Sequence, residues 1–92
     1  ILVNVQYNPG ISLAESNRLG QIAERLVMDV PEVKSVGRRT GRAELDEHAA
    51  GVNTSEIEVV TKELDRSHSE VMEEVRQKLA QIPGVEAEVG QP

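Results

Sequence analysis

The sequence feature that most constrains the fold is a strand-to-helix junction that occurs twice. An alternating extended segment ends at the Asn-Pro-Gly sequence of residues 8–10, because proline interrupts a β-ladder and all three residues favour turns. Ser12 follows, with Glu15 three residues later, which is the S-x-x-E pattern of a helix capping box. The same pattern returns at Ser67 and Glu70. The chain is therefore predicted to contain two strand–helix units.

Apolar periodicity extends this pattern to six elements. In chain order they are predicted as a strand at 1–6, a helix at 13–30, a strand at 32–38, a strand at 55–62, a helix at 68–82 and a strand at 85–89. Each half is strand–helix–strand, and right-handed crossovers put both helices on the same side of one sheet. We predict the α+β class and a ferredoxin-like βαββαβ sandwich, with a four-stranded antiparallel sheet and two helices on one face.

Three local details refine this prediction. Gly20 lies inside the first helix at a cost of about 1 kcal/mol relative to alanine, which favours a close helix–sheet contact. Val33 and Val36 do not alternate strictly, so the register of the second strand is left open. Residues 37–53 are predicted to form a long connection, and residues 38–53 are predicted to be the most mobile internal part of the isolated domain.

Composition limits the chain to one small domain, predicted as a single unit over residues 1–92. Tyr7 is the only aromatic residue, so the core must be aliphatic, and the absence of cysteine excludes disulfides and thiolate metal sites. The net charge of −6 argues against nucleic acid as a partner, which requires a basic surface. No apolar stretch approaches the roughly 20 residues of a membrane span. The chain begins without methionine and is expected to be a piece of a longer protein.

No motif for catalysis is present. The sequence lacks a GxSxG elbow, a phosphate-binding P-loop, an H-E-x-x-H pair and a cysteine nucleophile. The chain is therefore predicted not to be an enzyme, and no cofactor is predicted. One face of the predicted sheet is polar and is formed by Asn4, Gln6, Glu56 and Glu58. This face is either exposed to water or lines a site.

Three stretches carry a family resemblance: NPGISLAESNR at 8–18, VPEVKSVGRRTGRAE at 30–44 and GQP at 90–92. Together they resemble the heavy-metal efflux branch of the resistance–nodulation–division (RND) pumps, which are proton antiporters of the inner membrane. The resemblance spans nearly the whole chain. It implies a periplasmic porter subdomain, the first in the second half of the pump, that forms one wall of the substrate cleft.

The same resemblance implies partners and a substrate. The partners would be the rest of the pump chain with its neighbouring porter subdomain and transmembrane helices, two further copies in a homotrimer, a periplasmic adaptor and an outer-membrane channel. The substrate would be a heavy-metal cation. The alternative hypothesis is a free-standing ferredoxin-like regulatory or metal-binding domain, which would lack flanking hydrophobic spans of about 20 residues.

The resemblance also selects candidate metal ligands. In its copper and silver members two methionines hold a monovalent ion, and the matching positions here are Asn4 and Thr54, neither of which offers a thioether. Oxygen and imidazole donors suit divalent ions such as zinc better. A glutamate two residues after the second methionine corresponds to Glu56. The candidate ligands are Glu56, Glu58, Asp46, Glu47 and His48. For each of them a plain solvated surface is the competing interpretation.

Overall fold

The two strand–helix–strand units form one sheet that is covered on one side. The computed structural model describes residues 1–40, 53–63 and 65–90. The elements are β1 (Leu2–Gln6), α1 (Leu13–Met28), β2 (Val33–Thr40), β3 (Thr54–Thr61), α2 (His68–Leu79) and β4 (Glu86–Gly90). All paired strands are antiparallel, in the order β2-β3-β1-β4. The predicted α+β ferredoxin-like βαββαβ sandwich is confirmed.

Both helices pack on the same side of the sheet, which we call the covered face. Alternate residues of the central strands point into it, and Val3 lies opposite Ile57 in the β1–β3 register. The only tyrosine also lies on this side, where its hydroxyl donates a hydrogen bond of 2.9 Å to Ser55 Oγ. This bond satisfies two polar groups inside an otherwise apolar core. The buried apolar residues are Ile1, Val3, Val5, Tyr7, Ala23, Val27, Val30, Val33, Ile57, Val59, Val71, Val75, Leu79 and Ile82.

Serine caps start both helices, as the junction pattern predicts. Ser12 Oγ accepts the backbone N–H of Glu15 at 3.1 Å, and Ser67 Oγ accepts that of Glu70 at 3.2 Å. Each bond satisfies one of the amides that a helix leaves free at its first turn. The capping residues therefore fix where each chain segment changes from extended to helical.

Both helices end earlier than predicted, at Met28 instead of residue 30 and at Leu79 instead of residue 82. The N–H of Val30 bonds to the carbonyl of Val27, and that of Ile82 to the carbonyl of Leu79. These bonds span three residues and tighten the chain beyond the regular helix. A proline follows at residues 31 and 83, and it disfavours helical geometry at the residue before it.

Strand β2 is longer than predicted and contains a bulge. Arg39 and Thr40, which lie beyond the predicted strand and within the predicted connection, pair with β3 as part of β2. The register shifts between Val33 and Ser35, so that one extra residue is inserted opposite β3. This insertion explains the irregular spacing in the sequence, because it lets Val33 and Val36 both pack against the core.

Gly20 marks a close helix–sheet contact, as predicted, and the contacting group is a side chain. A Cβ atom at Gly20 would clash with Nη1 of Arg38, whose side chain extends from β2 across the helix. The Arg38 guanidinium bonds to the carboxylate of Glu24 and, at 3.3 Å, to Oδ1 of Asn17. Glycine at position 20 therefore provides the space in which an arginine is held between two acceptors of α1.

A second arginine, Arg66, joins Glu32, the residue before β2, to α2. Nε and Nη2 of Arg66 donate to the two carboxylate oxygens of Glu32 at 2.8 and 2.6 Å, and Nη1 lies 2.6 Å from a carboxylate oxygen of Glu74. Glu32 is buried, so its charge requires this partner. The hydrogen bond from Arg66 lowers the pKa of the Glu32 carboxyl, and the two carboxylates raise the pKa of the Arg66 guanidinium.

Candidate functional site

The sheet side opposite the helices, which we call the open face, is polar. Strand register aligns four of its residues in one row across all four strands. Arg39 of β2 pairs with Glu56 of β3, which pairs with Asn4 of β1, which in turn pairs with Glu88 of β4. Directly opposite residues in a sheet have neighbouring side chains on the same face. The row therefore places two carboxylates, an amide and a guanidinium across the middle of the sheet.

An ion pair occupies one end of this row. Nη2 of Arg39 lies 2.9 Å from Oε2 of Glu56. On the other side of Glu56, a shallow concavity of about 280 Å³ is bordered by Asn4, Thr54, Glu56 and Glu88 among others. A second concavity of about 310 Å³ includes Arg39, Glu56 and Glu58 in its lining. Glu56 thus borders both of these concavities.

The structure brings together the positions that the resemblance selected. Asn4, Thr54 and Glu56 border the same concavity, although Asn4 and Thr54 lie on different strands. Glu58 lies on the same face as Glu56, two residues further along β3, where it pairs with Leu2. The remaining candidates, Asp46, Glu47 and His48, lie outside the described residues.

Sequence reasoning missed Glu88 as a candidate. It lies opposite Asn4 and borders the same concavity as Glu56. The alternation of Val85, Ala87 and Val89 with two glutamates places Glu88 on the polar side of the last strand. What the sequence did not provide was the strand order, which brings β4 beside β1.

The open face carries carboxylates that can attract a cation, but its described residues do not form a complete metal site. Within residues 1–40, 53–63 and 65–90, no three histidine, aspartate or glutamate side chains come close enough together to hold a metal ion. A zinc site commonly uses three or four protein donors at about 2.0–2.2 Å. The described carboxylates would therefore need further donors to chelate a metal.

The family model described as AcrB/AcrD/AcrF matches residues 1–92. The chain belongs to the AcrB/AcrD/AcrF family. This membership confirms the resemblance to the RND efflux pumps.

Solved structures agree with the fold of this family member. Two crystal structures of a heavy metal efflux pump, its crystal forms II and I, each superpose with a TM-score of 0.89 at 21% sequence identity. Each match covers 98% of this chain and 10% of the pump chain, so the sequence spans about a tenth of the length of those pumps. No curated protein matches by sequence comparison. At this identity the likeness establishes the fold.

Neither helix of this AcrB/AcrD/AcrF family member resembles a membrane span. Among the helices that the structure describes, none combines the length and the apolar character needed to cross a bilayer.

Proposed function

We propose that the chain is a periplasmic porter subdomain of a proton-driven RND efflux pump of the inner membrane. Its open face would line the path along which heavy-metal cations leave, with divalent ions as the preferred substrates. The pump would be a homotrimer that works with a periplasmic adaptor and an outer-membrane channel. The neighbouring porter subdomain would supply the second wall of the cleft.

One observation carries this proposal. Asn4, Thr54 and Glu56 border a single concavity on the open face. Asn4 and Thr54 match the two ion-binding methionine positions of the copper and silver pumps, and Glu56 matches the glutamate two residues after the second methionine. Membership of an efflux family over the full 92 residues supports the same assignment. It also favours a pump segment over the free-standing regulatory domain.

The donor chemistry favours divalent cations over Cu(I) or Ag(I). The residues around the concavity offer carboxylate, amide and hydroxyl oxygens and no sulfur. Soft monovalent ions prefer thiolate and thioether ligands, whereas carboxylate oxygen suits harder divalent ions. An incomplete oxygen site also suits transport, since a substrate must be released as well as bound. Asp46, Glu47 and His48 are retained as proposed additional ligands.

The proposal is tested in the full-length pump, in a bacterium whose own zinc exporters have been deleted. We expect Glu56→Gln to remove most of the zinc resistance, because it takes away the negative charge at the centre of the row. Glu73→Gln is the matched control, since Glu73 is exposed on α2 and pairs only locally with Arg76 in the ion pair described. Full resistance of the Glu56→Gln pump at a normal protein level would contradict the assignment.

The same full-length gene tests the chain's place in the pump. We expect hydrophobic spans of about 20 residues in the protein around the 92-residue segment. A gene that encodes this domain without such spans would support the free-standing regulatory or metal-binding alternative.

A further inference from the structure

We propose that Arg39 acts as a tethered cation that occupies Glu56 when the site is empty and that an arriving divalent cation displaces. This inference rests on the proposed function, because it assigns Glu56 to the cation path. It gives Arg39 a specificity role: the substrate must outcompete a positive charge that is already present.

The geometry places the guanidinium at the oxygen that a cation would use. Arg39 and Glu56 are directly opposite in the β2–β3 register, and Nη2 lies 2.9 Å from Oε2. A carboxylate oxygen that accepts this hydrogen bond must release it before it can ligate an ion in the same direction. Arg39 therefore competes with a bound cation for one oxygen of Glu56.

The two partners differ in a way that permits exchange. The Arg39 side chain is 78% exposed, whereas that of Glu56 is 23% exposed. The carboxylate is thus held against the sheet, while the guanidinium extends into solvent on a flexible stem. An ion pair with one partner as exposed as Arg39 contributes little stability, because water and salt screen it. Displacing Arg39 moves its charge into water at a small cost.

Arg38, the preceding residue, differs from Arg39 because its guanidinium is largely buried in a structural contact. Its side chain is only 13% exposed, and it packs over Gly20 while bonding to Glu24 and Asn17. Successive strand residues point to opposite faces, so Arg38 lies on the covered face and Arg39 on the open face. The buried arginine is structural, and the exposed one is free to leave its partner.

The surrounding charge favours a divalent replacement. Glu58 lies on the same strand face as Glu56, and Glu88 lies across the row from it, beyond Asn4. Among the described residues, the Arg39 guanidinium is the cation shown paired with Glu56, and it carries a single positive charge. A dication brings twice the charge of Arg39 to the same location, which a sodium or potassium ion does not. The arrangement therefore selects against the monovalent ions that are abundant in any compartment.

The test is a titration of the 92-residue chain with ZnCl₂ in 100 mM NaCl, followed by NMR at the Glu56 amide and the arginine side-chain NεH groups. We expect weak binding by the wild type and an affinity about two- to fivefold higher for Arg39→Gln, as expected for removing an exposed ion pair. Arg39→Lys, which keeps the charge, should retain the weak affinity. In the wild type, the NεH signal of Arg39 should change with the same midpoint as the Glu56 amide.

Arg18→Gln is the matched control for net charge. Arg18 also pairs with a glutamate, Glu15, but on the exposed side of α1, so its loss should leave the zinc affinity unchanged. Equal affinities of the wild type and Arg39→Gln, or no zinc binding by either, would overturn the tethered-cation inference. Loss of zinc binding in Glu56→Gln with no effect of Arg39→Gln would support the proposed function and overturn the role given to Arg39. Unchanged binding in Glu56→Gln would instead overturn the role of Glu56 and the inference with it.

Discussion

The covered and open faces of the sheet are made by the same strands but differ in chemistry: the covered face is apolar and buried, and the open face is polar. In β1, Val3 and Val5 are completely buried under the helices, whereas Asn4 and Gln6 between and beside them are exposed. Because strand side chains alternate, one short sequence specifies both a core and a polar surface. Substitutions at adjacent strand residues should therefore affect the fold and the proposed function separately.

The energies on the two faces differ in scale. Burying one valine or isoleucine side chain stabilises a fold by about 1.5–3 kcal/mol. An exposed ion pair such as Arg39–Glu56 contributes about 0–1 kcal/mol. The covered face therefore contributes most of the stability, and substitutions on the open face should cost the fold little.

The largest expected effect tests this division at two adjacent residues. Ile57→Ala should lower the free energy of unfolding by about 2–5 kcal/mol, because Ile57 is fully buried and alanine leaves a cavity. Glu58→Gln, on the open face, should change it by less than about 0.5 kcal/mol. Urea denaturation of both variants measures the difference. Similar losses in the two variants would show that the open face also supports the fold.

The sequence was sufficient to predict the two faces but not their cross-strand neighbours. Alternation placed Glu56 and Glu58 on the polar side, and the two capping patterns located the helix starts. The row that joins Glu56 to Asn4 and Glu88 depends on strand order and register. These are set by contacts between distant segments, which a local pattern does not contain.

The two arginine contacts were missed for a related reason. Arg38 lies at the end of the predicted second strand, but no local pattern indicates that α1 packs beside it and supplies Asn17 as an acceptor. Arg66 meets Glu32, 34 positions away in sequence, so no short-range spacing indicates the pair. The candidates Asp46, Glu47 and His48, and most of the connection predicted to be mobile, lie outside the described residues and stay predictions.

A smaller effect on the free energy of unfolding should distinguish Arg38 of the covered face from Arg39 of the open face. In an Arg38→Ala background, Gly20→Ala should stabilise the chain by about 0.5–1 kcal/mol, because alanine is the better helix former. In the wild type, that gain should be lost, since the new methyl group displaces the Arg38 guanidinium from its acceptors. A double-mutant cycle by urea denaturation measures the coupling. In an Arg39→Ala background, Gly20→Ala should act as in the wild type, and equal effects in all three backgrounds would refute the contact.

The last prediction concerns Glu32, the one buried glutamate among the described residues, whose contribution to the free energy of unfolding depends on pH. Arg66 holds the pKa of Glu32 below its ordinary value of about 4.3, so the folded state binds this proton less readily than the unfolded state does. The stabilisation from this carboxylate is therefore complete above about pH 4.3 and is lost as the pH falls through the lower folded-state pKa.

The difference in unfolding free energy between wild type and Glu32→Gln should accordingly shrink on acidification. In an Arg66→Gln background the same comparison should lose this pH dependence, because the hydrogen bond that lowers the pKa is gone. Urea denaturation from pH 7 to pH 3 measures all four proteins, and an equally steep pH dependence without Arg66 would show that another group holds Glu32 ionised.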